Sequence, residues 1–429
     1  MLESAYRQRL EADLARWQSG GVITPAIGEA IRNDLGPSPK GVSIATMVGI
    51  VGGLLIAAAF LAFIAANWSD IARPARFAVL LAGIAGAYTA GAWFDREGRP
   101  HLADLSATVG SIIFGAAIAL TGQMYHLGGD FAGGVMLWAI GALVAAALTG
   151  SRGALAVALA VACLWSGMRA IDQGEVPHLP FIAFWLVAAG LAFAWNVTAA
   201  RHLVAVGAVA WWIMSGIALI DHSFDRDPFL LIAASVAAGA SFLLGAGLLL
   251  ATHGSESQRR LGTTLSTYGA LALAVTVAMC VPDRLQPTAR RFSLAEPTWV
   301  IGAAIAGGIL ALVTAGVGRR PGPAFAALAI GLALAVTAGW VQPVKADEPW
   351  LIYAFALAAM LVLVVSGVLD DARPRVVAGW LGLAAVIATI TWTVPGSLLR
   401  RAMFLAVAGS IAIALAVVLD RLTRKEPAR

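Results

Sequence analysis

The feature that most constrains this chain is a repetition. From about Ser43 to Asp420, runs of roughly 20 apolar residues recur, separated by short polar or Pro/Gly-containing breaks. Each run is long enough to cross a hydrocarbon core of about 30 Å as a helix. The alternation expected of barrel strands is absent, and in lipid a continuous apolar segment satisfies its own backbone N–H and C=O groups only by coiling into a helix. Composition agrees: 60% of residues are hydrophobic and 12% charged, where a soluble domain carries about a quarter charged residues. The expected fold is all-α, a polytopic α-helical transmembrane bundle.

Spans are expected at about 44–66, 75–94, 103–124, 130–149, 153–170, 180–198, 202–220, 229–250, 263–281, 298–317, 323–341, 350–369, 376–393 and 402–419, fourteen in all. With the N-terminus inside, the inner segments hold 19 of the 29 Lys and Arg residues, among them Arg96, Arg99, Arg259, Arg260, Arg319, Arg320, Arg373, Arg375 and the tail "RLTRKEPAR". Lys and Arg in short loops set orientation, which predicts a multi-pass membrane protein with both termini cytoplasmic. One outer loop, "PDRLQPTARRFSLAEP", runs against the rule with three arginines.

Before the first span, residues 2–35 read as a cytoplasmic pair of helices. Leu2, Tyr6, Leu10, Leu14 and Trp17 make one apolar stripe, and "SGG" ends that helix. Thr24 then caps the next, with Pro25 at its first position and Ile27, Ile31 and Leu35 on its apolar face. So short a pair buries too little to stand alone and is expected to dock on the bundle, on a second copy or on a protein partner. The expected division is therefore a hairpin at 1–36, a linker at 37–43, a first group of spans at 44–150, further spans at 151–420 and a basic tail at 421–429. No signal peptide is expected, because the first apolar run is too long for one and stays as an anchor.

Cys163 and Cys280 lie inside apolar runs and read as small buried hydrophobes, with no disulfide and no metal site expected. The formal charge of +5 is scattered over loops without an aromatic-interleaved basic stripe, so the partners expected are membrane lipids and no nucleic acid. No cofactor motif is present: "GAG" at Gly245 to Gly247 falls inside a span and is no nucleotide loop. Glycines in the early spans, including Gly49, Gly53, Gly110 and Gly115, are expected to let helix backbones approach closely. Ser-Gly pairs at Ser166, Ser215 and Ser366 receive the same packing reading, since none has the glycine two positions earlier that an intramembrane serine nucleophile would need.

Several segments together resemble a known family. "LARWQSGGVITPAIGEAI", "FIAANW" at 63–68 and "GSIIFGAAIALTGQMYHLGGDFAGGVMLWAIGAL" at 110–143 are similar to the bacterial membrane family called domain of unknown function 2157, over about residues 5–150. The resemblance implies a membrane protein and groups these motifs; it carries no activity with it.

On the expected topology, Asn67, Trp68 and Asp70 end the first span on the outer side, where the third delivers Gln123, Tyr125 and His126. Asp130 opens the fourth and Arg169 ends the fifth on that same side. Helical spacing puts Gln123 and His126 on one face. These residues form the candidate polar site, suited to orienting a small ligand or passing protons. Trp68 and Tyr125 also fit an interfacial belt, and Gln123, lying deeper, is expected to hydrogen-bond across helices. Three function classes follow: transport of a small solute or lipid, a scaffold or sensor working through the head, and a membrane-embedded enzyme acting on a lipid. The absence of Asp, Glu, Lys or Arg near any span centre argues against ion coupling.

Overall fold

The computed structural model describes residues 2–34, 72–126, 129–221, 228–283, 298–337 and 350–393, in which helix is the only regular structure. The helices are α1 (Leu2–Ser19), α2 (Pro25–Asp34), α3 (Arg73–Arg96), α4 (Pro100–Met124), α5 (Phe131–Thr149), α6 (Arg152–Gln173), α7 (Pro180–Trp195), α8 (Thr198–Asp221), α9 (Pro228–His253), α10 (Glu256–Asp283), α11 (Thr298–Gly318), α12 (Pro321–Thr337), α13 (Trp350–Leu369) and α14 (Arg373–Thr393). Ten are long and apolar enough to cross a membrane, and α7 and α12 are shorter apolar helices. The chain is an all-α polytopic membrane bundle. The spans expected at 44–66 and 402–419, the linker and the basic tail lie outside the described residues.

Helix boundaries follow local chemistry. Proline, whose missing N–H is no loss in a first turn, opens α4 at Pro100 and α7 at Pro180. Ser151 caps α6 by accepting from the Ala154 N–H at 3.0 Å. The left-handed Gly150 and Gly174, with φ near +65° and +68°, end α5 and α6. Where the structure departs from the expected bounds, the cause is visible. α10 begins seven residues before 263, because Glu256 and Arg260 pair one turn apart at 2.8 Å and carry the helix beyond its apolar part. α7 stops at Trp195 rather than 198, where Asn196 turns left-handed.

α1 and α2 belong to a compact unit of residues 1–70, the rest of the chain forming a second. In the first unit, α1 closes with Val22 N–H donating to Trp17 O at 2.9 Å, and Gln18 lies over Gly28 on α2. Leu14 is fully buried, while Val22 and Ile27 stay exposed.

From residue 72 onward the helices pack in chain order around α9 and α10. α9 is the axis, touching α8, α10, α11 and α12; 78% of its apolar window is inside the bundle, against 11% for the peripheral α3. α3 to α6 form a group in which α4 and α5 both reach α6, and α6 joins that group to α7 and α8.

The core is rich in alanine and glycine, so helices meet by shape where lipid offers no hydrophobic drive between them. Backbones touch most closely between α9 and its neighbours. A Cβ at Gly269 of α10 would stand 2.6 Å from Leu244 N, one at Gly262 would stand 2.5 Å from Ala251 N, and Gly245 of α9 lies against the Gly307 backbone of α11. The expectation of close backbone approach at Gly110 and Gly115 needs correction. Gly110 receives the Tyr88 ring and Gly115 the Trp138 ring, so each glycine is a seat for an aromatic side chain. Gly49 and Gly53 lie outside the described residues. Among the hydroxyls of "TTLSTY", Thr263, Thr264, Ser266 and Thr267 all bond back to their own helix.

Candidate functional site

The expected polar residues come together in part. α4 ends with Tyr125 N–H donating to Thr121 O at 3.1 Å, and His126 takes a left-handed φ of 48° to leave the helix. Gln123, Tyr125 and His126 are exposed at this end while Met124 alone turns inward. Gln123 is exposed on α4, one residue away from the buried Met124, and the first span, one expected neighbour for a cross-helix hydrogen bond, lies outside the described residues. Asp130 stands in extended backbone at the start of α5 without capping that helix. Its Oδ2 instead accepts from Nη2 of Arg169, in the last turns of α6. Asp130 and Arg169, 39 residues apart, thus form a partly exposed ion pair joining two helices at this end. Asn67, Trp68 and Asp70 lie outside the described residues.

Beside the pair sits a cluster that sequence reading passed over. Ser166, one turn before Arg169, accepts from Trp211 Nε1 of α8 at 3.0 Å and lies 3.3 Å from Nδ1 of His178, in the connection between α6 and α7. His178 Nε2 is 3.6 Å from Glu175 Oε2, and the imidazole meets the Trp165 ring edge-on with centroids 4.5 Å apart. Trp211 also stacks on Phe181 of α7. Ser166 and His178 are 2% and 3% exposed, so no substrate carbonyl reaches the hydroxyl as the helices stand. The arrangement serves as a pin: with Nε2 protonated toward Glu175, Nδ1 accepts the Ser166 proton while Trp211 donates to the same oxygen. It ties α6, α7 and α8 at the point where the α3–α6 group joins the rest. The Trp165 indole N–H is buried nearby without a partner.

Burial pushes the His178 imidazole below its ordinary value; Glu175 pulls it up and Arg169 presses it down. Between the lowered native value and the unfolded value of about 6.5, the unfolded chain binds more protons, so stability rises with pH across that window. Stability should accordingly fall as pH drops from about 6.5 through the native value. His178→Asn should flatten that slope in thermal unfolding scans from neutral to acidic pH, and parallel curves for the two proteins would contradict the role given to His178.

At the opposite end of α4 and α6, Asp104 Oδ1 accepts from Ser151 Oγ and from Gly153 N–H at 3.0 Å, so a carboxylate from one helix stabilises the positive N-terminus of another. Between α13 and α14, Asp370 and Arg375 form a buried pair at 2.7 Å, 9% and 6% exposed. Ser366 accepts from Arg375 Nη1 at 2.9 Å and donates to Gly322 O of α12 at 2.8 Å. Both sites are built on an acid near a helix end, Asp104 close to the start of α4 and Asp370 just after α13. Cys163 and Cys280 are buried as expected.

Comparison with curated proteins and with solved structures finds no match. A family model described as predicted membrane protein, domain of unknown function 2157, matches residues 15–155. That stretch runs from late in α1 to the first turn of α6 and includes Gln123, Tyr125, His126 and Asp130. Over residues 15–155 this multi-pass helical membrane protein is therefore similar to the predicted membrane proteins of domain of unknown function 2157.

Proposed function

We propose that the protein moves a small solute or a lipid across a bacterial inner membrane, admitting it at the end of the bundle where α4, α5 and α6 bring Gln123, His126, Asp130 and Arg169 together. On a topology with both termini cytoplasmic, this end faces the periplasm. The Asp130–Arg169 pair carries the reading. It crosses from α5 to α6 at a partly exposed rim, beside three polar side chains that have no partner among the described residues. An ion pair so placed is held weakly against water and yields to a charged or zwitterionic ligand that offers each side chain a new partner. Opening it loosens α5 against the end of α6, next to the point where His178 pins α6 to α7 and α8, and a shift there can pass to the neighbouring helix group as alternating access requires.

The experiment is flux in liposomes holding the purified chain, probed with fluorescent short-chain phosphatidylglycerol and, separately, with labelled amino acids. Asp130→Asn and Arg169→Gln should each lower flux of the accepted probe at least about tenfold, the scale on which breaking a charge-assisted contact acts. The reversed pair, Asp130→Arg with Arg169→Asp, should restore part of it. Equal flux in all four proteins would remove the pair from the mechanism. Absence of flux in the unaltered protein, with loss of a cellular complex on deleting residues 1–36, would move the reading to a scaffold working through the head.

A further inference from the structure

A different corner of the bundle, where α7 ends, α8 begins and α10 begins, holds a cation that has no anion among the described residues. Among the described residues two arginines are buried, Arg375 and Arg201. Arg375 rests on the Asp370 carboxylate. Arg201 rests only on neutral oxygens: Nη1 donates to Asn196 Oδ1 at 3.0 Å and Nη2 to Thr198 Oγ1 at 2.9 Å, and its Nε is buried with no partner. A guanidinium has five N–H donors, and two are used here. Removing it from water without a counter-charge is costly, which is why buried charges are ordinarily paired.

Two further sources of positive potential converge on this corner. Arg201 lies in the first turn of α8, a 24-residue helix whose leading N–H groups have no intrahelical acceptors and whose dipole adds partial positive charge. Arg260 of α10 places a second guanidinium within electrostatic reach of Arg201, with Arg259 beside it. The nearest acid in sequence on α10, Glu256, is committed to Arg260 at 2.8 Å. The corner opens outward, since Asn196, Thr198, Arg259 and Arg260 are exposed while Arg201 is 6% exposed.

We propose that this corner binds a phosphate group, held by Arg201 and the N-terminus of α8 with Arg260 as the outer cation. Planar guanidinium donors and helix N–H groups are the two protein features that best match phosphate oxygens. The corner lies at the end of a membrane-crossing helix, at the level of lipid headgroups, so the phosphate comes either from an anionic phospholipid or from free phosphate in the adjoining solution. This site is independent of the transport reading, which rests on the other end of α4 to α6.

The full chain, purified in detergent, is tested by native mass spectrometry with phosphatidylglycerol and phosphatidylcholine, and by thermal unfolding with millimolar inorganic phosphate. Phosphatidylglycerol should be retained about tenfold over phosphatidylcholine, whose ammonium the arginines repel. Arg201→Gln should remove the preference and Arg201→Lys keep part of it. Arg260→Gln, an exposed change that leaves the fold intact, should weaken it by about threefold and decides the matter where Arg201→Gln fails to fold. Stabilisation by inorganic phosphate equal to that by phosphatidylglycerol, lost in the same variants, assigns the site to free phosphate; stabilisation by the lipid alone assigns it to the headgroup. Equal retention of both lipids without a phosphate effect overturns the proposal, as does phosphatidylglycerol retention unchanged in both Arg201→Gln and Arg260→Gln.

Discussion

Gly307→Leu abolishes the folded bundle, while Gly308→Leu, one position along α11, leaves it intact. At Gly307 the space a side chain needs is occupied by backbone of α9: a Cβ there would stand 2.7 Å from Phe242 N and still nearer the Ser241 carbonyl. Carbon atoms pack at about 3.5–4.0 Å, so α9 and α11 would have to separate along their shared length. α9 is also locked against α10 through Gly262 and Gly269, so the displacement cannot be absorbed by one helix. Overpacking a core costs about 1–3 kcal/mol where side chains give way, and more where only backbone meets the new atoms. Around Gly308 nothing lies within 4 Å. Both glycines have the same helix propensity cost, so the contrast isolates packing. Size-exclusion profile and thermal unfolding in detergent measure it: loss of a monodisperse peak for Gly307→Leu alone is the expected result, and equal behaviour of the two variants would contradict the close approach of α9 and α11.

The second large effect comes from charge. Arg375→Met should lower stability by about 3–5 kcal/mol, because it leaves the Asp370 carboxylate buried without its cation. Among the described residues Asp370 Oδ1 has no hydrogen-bond partner, and the carboxylate is compensated by Arg375 through Oδ2. Ser366 Oγ would lose a donor as well, while keeping its bond to Gly322 O. Removing both charges, Arg375→Met with Asp370→Asn, should recover most of the loss, since an amide in place of the carboxylate carries no uncompensated charge. Thermal unfolding of the two singles and the double gives the coupling directly. Additive losses would mean that the two side chains do not interact in the folded protein.

Most of the architecture was legible from the chain because a bilayer imposes one simple demand on it. Twelve of the fourteen expected spans coincide with helices, the other two lying outside the described residues, and the boundaries at Pro100, Pro180, Ser151, Gly150 and Gly174 were written in residue types with strong local preferences. Asp130 and Arg169 were placed at the same end by counting helix turns, and the structure pairs them. Ser166 reads from sequence as a packing serine, and His178 has no motif around it. They lie 12 residues apart on a helix and the connection after it, and Trp211, which donates to Ser166, lies 45 residues further along. Nothing local marks such a triple.

Membrane placement, twelve of the spans and several helix ends were thus determined by the sequence itself, since they depend on hydropathy over about 20 residues and on the chemistry of single turns. Which glycines carry backbone contact was decided only by the tertiary structure. Gly110 and Gly115 sit in the same kind of apolar context as Gly245 and Gly307, yet the first two take aromatic rings and the others a neighbouring helix. Charge divides differently: Arg375 and Arg201 are each an arginine near a helix start, and each finds a side-chain partner five residues earlier, the Asp370 carboxylate for one and the Asn196 amide oxygen for the other, while the tertiary structure decides that both are buried. The physical reason is that hydropathy acts along the chain, whereas contact and burial depend on where residues distant in sequence arrive, and that is set by the mutual fit of all the helices at once.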